Sequence, residues 1–96
     1  MKNVTIAKSK RPGKKYKASF EDGHTVHFGA AGMSDFTLNK DPKRRKAYLA
    51  RHKANENWRD KESAGFWSRY LLWEKKSLRE AAIGLRSKGL NVTLQA

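Results

Sequence analysis

With 96 residues the chain has material for one domain and one modest core. Its 22 Lys and Arg against 9 Asp and Glu give a formal net charge of +13, which opposes compaction by self-repulsion and draws polyanions, nucleic acid first and membrane headgroups second. The absence of cysteine excludes disulfides and thiolate-bound zinc, and no apolar run approaches the roughly 18 residues of a membrane helix, so a soluble, unsecreted protein held by packing alone is expected.

The basic residues fall in two blocks. Lys2, Lys8, Lys10, Arg11, Lys14, Lys15 and Lys17 occupy the first twenty positions without one acid, and Lys43, Arg44, Arg45, Lys46, Arg51 and Lys53 follow after a mildly acidic stretch. Residues 1–14 read as a basic arm or a short strand at Val4-Thr5-Ile6, and residues 15–96 as a single compact domain. Arg11-Pro12-Gly13-Lys14 is a turn, because Pro fixes φ and Gly accepts positive φ.

Beyond it Tyr16, Ala18 and Phe20 alternate with Lys15, Lys17 and Ser19, and His24, Val26 and Phe28 alternate with Thr25 and His27. A two-residue Asp22-Gly23 turn would pair Phe20 with Thr25 and divide the apolar residues between opposite faces. A three-residue loop with Gly23 left-handed pairs Phe20 with His24, Ala18 with Val26 and Tyr16 with Phe28, and it is the favoured register. One face then goes to the core, and the other, with Lys15, Lys17, Ser19, Thr25 and His27, to solvent or a ligand.

Gly29-Ala30-Ala31-Gly32 reads as a flexible link, and Met33 to Asn39 as an irregular segment anchored by Phe36 and Leu38. Asp41-Pro42 starts a helix that runs to about Asn55, with Asp41 as N-cap and Pro42 in the first helical position. Its apolar content is thin, so most of it stays wet. Ser63 caps a helix in which Phe66, Tyr70 and Trp73 form one stripe and Trp67 and Leu71 another, expected to be the most buried. Ser77 to Glu80 has the form of a capping box, Gly89 ends that helix, and Leu90 to Leu94 alternates like a strand that could join the N-terminal sheet. The expected fold class is α+β: a small antiparallel hairpin or meander packed against two or three helices.

Asp35-Phe36-Thr37, Lys40-Asp41-Pro42, Tyr48-Leu49, Arg51-His52, Glu56-Asn57-Trp58, Ala64 through Trp73 and Ser77-Leu78, preceded by His27-Phe28-Gly29, form a run that resembles a family of small uncharacterised basic proteins of large double-stranded DNA viruses, including those of algae and protists. The likeness spans roughly residues 25 to 86. At Lys75-Lys76 the chain departs from the Asn-Lys-Pro type of turn expected there. The resemblance implies a viral protein carried in the virion, present in the host cell interior during infection, as a minor capsid or genome-associated component. It supplies no catalytic residues.

The chemistry of the side chains points to binding and not to an enzyme. His24 and His27 are three apart on a strand and face opposite ways, which disfavours a shared metal, and His52 with Glu56 has the spacing of a local helix pair. The Gly and Lys of Arg11 to Lys15 lack the spacing of a phosphate loop. No cofactor, metal or catalytic residue is expected. The candidate nucleic-acid contacts are Lys10, Arg11, Lys14, Lys15, Lys17, Lys43, Arg44, Lys46, Arg51 and Lys53, meeting phosphates of double-stranded DNA without reading sequence. The Trp67 to Trp73 stripe serves the core by its helical spacing; the alternative is one exposed ring, Trp58 or Trp73, of which Trp58, between helices, is the better candidate aromatic anchor. The alternative is a minor capsid or cement protein whose basic faces contact acidic surfaces of the shell.

Overall fold

In the computed structural model, which describes residues 1–95, the alternation of apolar and polar side chains becomes a four-stranded mixed sheet in the order β3-β2-β1-β4. The strands are β1 (Lys2–Lys8), β2 (Lys14–Phe20), β3 (Thr25–Ala30) and β4 (Leu90–Leu94). β2 and β3 pair Tyr16 with Phe28 and Ala18 with Val26, and the Phe20 amide donates to the His24 carbonyl at 2.9 Å. This is the favoured register, set by Gly23 at φ +92°.

Of the arm and the short strand read for residues 1–14, the structure has a strand, longer than Val4-Thr5-Ile6. β1 lies inside the sheet, antiparallel to β2 and parallel to β4, with Val4 and Ile6 fully buried. No boundary therefore separates residues 1–14 from the rest, because the first strand supplies part of the core; Ala96 lies outside the described residues. β1, β2 and β3 form the expected antiparallel meander, and the parallel β1–β4 pair makes the whole sheet mixed.

Four helices follow the element order: α1 (Phe36–Asn39), α2 (Pro42–Lys53), α3 (Ala64–Trp67), which continues as a π-helical turn over Ser68–Leu72, and α4 (Leu78–Gly84), which tightens into a 3-10 turn over Leu85–Lys88. The expected N-caps are made, Asp41 accepting from the Lys43 amide, Ser63 from Phe66 and Ser77 from Glu80, though among the described residues Glu80 returns no bond to the Ser77 amide and the capping box is half formed; Gly89 closes the last turn at φ +79°. Met33 to Asn39 is more ordered than its sequence suggests, since Asp35 caps α1 by accepting from the Thr37 amide.

The core lies between one face of the sheet and α3, its π turn and α4. Phe20 and Phe28 meet Trp67 at ring-centroid distances of 6.0 Å, and the Trp67 indole N–H donates to the Lys61 carbonyl. The π turn carries the Trp73 amide back to the Ser68 carbonyl, five residues earlier. By adding a residue to one turn it rotates the helix so that Leu71, Leu72 and Trp73 are all buried in succession. Trp73 thereby reaches α2.

Candidate nucleic-acid interface

α2 touches the body of the protein along a narrow seam. Arg45, Tyr48, Leu49 and His52 turn inward, while Lys43, Arg44, Lys46, Arg51 and Lys53 are exposed. None of those five cations forms an ion pair among the described residues. With no acid among its own residues, the helix presents an uncompensated positive surface. Arg45, by contrast, is spent on docking: its Nε donates to the Trp73 carbonyl and its Nη2 to Glu74, each at 2.7 Å.

The second basic block lies on the turn between β1 and β2 and on the open face of the sheet. Lys10, Arg11 and Lys14 are exposed and Lys17 partly so. Close to them Ser9 Oγ and His27 Nδ1 lie 2.7 Å apart, a pair the sequence reading did not anticipate, since only the strand pairing brings residues eighteen positions apart together. Desolvation first, then the charges of Arg11, Lys17 and Lys14, holds the His27 imidazolium below the usual histidine range. This favours a neutral ring amid cations.

Two candidate residues stand differently from expectation. Lys15 is not available to phosphate: its Nζ lies 2.6 Å from Asp35 Oδ2, with only 15 % of the side chain exposed. Asp35 is 2 % exposed and also binds the Thr37 amide and hydroxyl, so its charge requires the lysine as partner. Trp58 is half-buried. Its N–H donates to Glu56 at 3.0 Å and the Arg69 guanidinium stands 5.3 Å from the ring centroid, which leaves one face already occupied.

A cleft of about 360 Å³ joins the two basic blocks. Lys14 lines it from the sheet and Arg51 and His52 from the end of α2. Inside, His52, Tyr48 and Trp73 form a continuous ring stack, with centroids 4.2 Å and 4.4 Å apart. Glu56 holds His52 Nδ1 at 3.2 Å and bonds Trp58 through its other oxygen. It lies against Gly65, where a Cβ would come within 3.0 Å of the Glu56 carboxyl carbon. Desolvation, with the Glu56 charge second, pushes the Tyr48 hydroxyl up to about 12, outweighing Ser68, Arg69 and Arg51.

The cleft gathers titratable groups that the sequence left scattered. His52 with Glu56 is an imidazole oriented by a carboxylate, the arrangement of a general base. Among the described residues, however, no hydroxyl is hydrogen-bonded to His52, and Asp35 and Glu56 are each taken up by other partners. No group of His, Asp or Glu among the described residues is arranged to hold a metal, and no helix is long and apolar enough to cross a membrane.

The chain belongs to a family of unknown function, DUF5754, whose model matches residues 4–52. That segment runs from β1 to nearly the end of α2 and so contains the β1–β2 turn and all of the exposed α2 cations but Lys53. No curated protein and no solved structure matches the chain.

Proposed function

We propose that this protein binds nucleic acid through phosphate contacts, without sequence specificity and without catalysis. The observation that carries this reading is the outer surface of α2, where Lys43, Arg44, Lys46, Arg51 and Lys53 are exposed and have no ion-pair partner among the described residues, on a helix with no acid. A face used only for solubility needs no such segregation of charge, and mixed signs are the usual solution. Lys14 and Arg51 line one cleft, so the two basic blocks adjoin there. The resemblance to proteins of large double-stranded DNA viruses supports double-stranded DNA as the ligand and the virion as the setting.

Charge reversal tests this reading. A Lys43→Glu, Lys46→Glu, Lys53→Glu variant should fold normally, because all three side chains are exposed, and should lose nucleic-acid affinity. Unchanged affinity in a folded variant overturns the assignment to α2. Binding of acidic shell protein by the wild type, with no nucleic-acid affinity, would favour the capsid reading instead.

A further inference from the structure

We propose that the cleft between Lys14 and Arg51 is a pocket for a terminal phosphate, a phosphomonoester carried by a strand end or by a free nucleotide. The inference rests on the phosphate-binding reading above and adds a site to it. A polynucleotide lying along α2 needs an open surface, whereas a concavity of about 360 Å³ falls in the size range of pockets that enclose a small ligand. A continuous strand has to enter and leave such a space. A strand end has only to enter.

The charges at the cleft suit a monoester. Lys14 and Arg51 are exposed, come from the two separate basic blocks and have no carboxylate partner among the described residues. Both acids at the cleft are engaged by other groups: Asp35 is ion-paired with Lys15 at 2.6 Å, and Glu56 keeps its charge but directs its two oxygens to His52 Nδ1 and the Trp58 indole N–H. The Glu56 contact commits His52 Nδ1 and leaves Nε2 as the ring's remaining hydrogen-bonding atom. A phosphomonoester brings a charge near −2 and three terminal oxygens to this group, against one charge and two such oxygens on a diester.

The test compares two probes of nearly equal charge: a dinucleotide bearing a 5′-phosphate, and a tetranucleotide whose phosphates are all diesters. The wild-type protein should bind the first about tenfold more tightly, the scale of one charge-assisted hydrogen bond. A Lys14→Ala, Arg51→Ala variant should bring the two affinities to parity, while a Lys43→Ala, Lys46→Ala variant weakens both and keeps their ratio. Thymidine 5′-monophosphate separates the sources: affinity equal to the dinucleotide's assigns the pocket to free nucleotides, and much weaker affinity assigns it to strand ends. Equal wild-type affinity for both probes overturns the pocket. Retained binding of long duplex in that case leaves the α2 reading standing, and loss of duplex binding as well removes both.

Discussion

Tyr48 and Trp73 lie ring on ring, 4.4 Å between centroids and 4° from parallel, and this stack joins the basic helix to the core. Both are at least nine-tenths buried, although α2 is otherwise mostly exposed. Replacing Trp73 by Ala should cost about 3–5 kcal/mol, as for other buried aromatic truncations. Because the lost contact is one of those that dock α2, beside the Arg45 hydrogen bonds, hydrogen exchange should show this helix losing protection before the sheet does. Uniform loss of protection would contradict that assignment.

The same contact sets a limit at high pH. Burial raises the Tyr48 hydroxyl from 10.0 to about 12, so the folded state holds the proton more tightly than the unfolded chain. The sign follows directly: the stabilisation is fully present below pH 10 and is lost as pH rises from 10 towards 12. A Tyr48→Phe variant should be less sensitive to alkali over that interval. Tyrosinate absorbance followed with circular dichroism checks it, and an unaltered alkaline transition in the variant would count against the burial argument.

Glu74 works in the opposite direction. Desolvation raises its pKa, but hydrogen bonds and charges from Arg69 and Arg45 outweigh this and leave it below the usual glutamate value. Its stabilisation is therefore present above the unfolded value of 4.5 and is lost as pH falls through the depressed folded one. Glu74→Gln should destabilise the protein at neutral pH by about 1–3 kcal/mol, since two arginines lose a shared anion, and should flatten the acid side of the stability curve. Denaturant titrations of both proteins across the acid range measure this.

Asp35 serves as helix cap and as counter-ion, and Asp35→Asn separates the two roles. Asn caps a helix about as well as Asp, so the capping of α1 survives while Lys15 is left unpaired. A loss of about 3 kcal/mol is expected, in keeping with the removal of one partner from a buried pair. Adding Lys15→Met should recover much of it. If the double variant is less stable than the single one, the ion pair is not the cause.

Much of this fold is legible in the sequence because short-range rules decide it. Asp41-Pro42, Ser63, Ser77 with Glu80, and Gly89 announce helix ends through their own hydrogen-bonding chemistry, and the Phe20-to-Phe28 register follows from keeping apolar residues on one face. The α+β class and the exposure of most of α2 follow from the same patterns. What could not be read depends on pairings distant in sequence. Ser9 meets His27 only through strand pairing, Lys15 meets Asp35 across twenty residues, and Arg45 meets Glu74 across twenty-nine. The π turn after Trp67 leaves no composition signature, yet it brings Trp73 against Tyr48 and so completes the cleft.

Gly65 shows how closely the cleft wall is built. A methyl group there would meet the Glu56 side chain at 3.0 to 3.3 Å and push it by some tenths of an ångström, which disturbs its hydrogen bonds with His52 and Trp58. Gly65→Ala should leave α3 folded, since Ala favours helix by up to about 1 kcal/mol over Gly, while changing the indole environment of Trp58. Tryptophan fluorescence reports that change, and an unaltered spectrum would show that Glu56 accommodates the methyl group in place.

The central claim is that unpaired cations on α2 and the β1–β2 turn hold a polyanion by neutralising its phosphates. Its most direct test is the affinity for a long random-sequence duplex over a series of salt concentrations. The account predicts a straight log-log plot with a slope of about −4 to −7, from the exposed α2 cations alone up to those together with Lys10, Arg11 and Lys14 at roughly 0.9 per phosphate, with little change among duplex sequences. No binding even at the lowest salt, or a slope near zero, would contradict it.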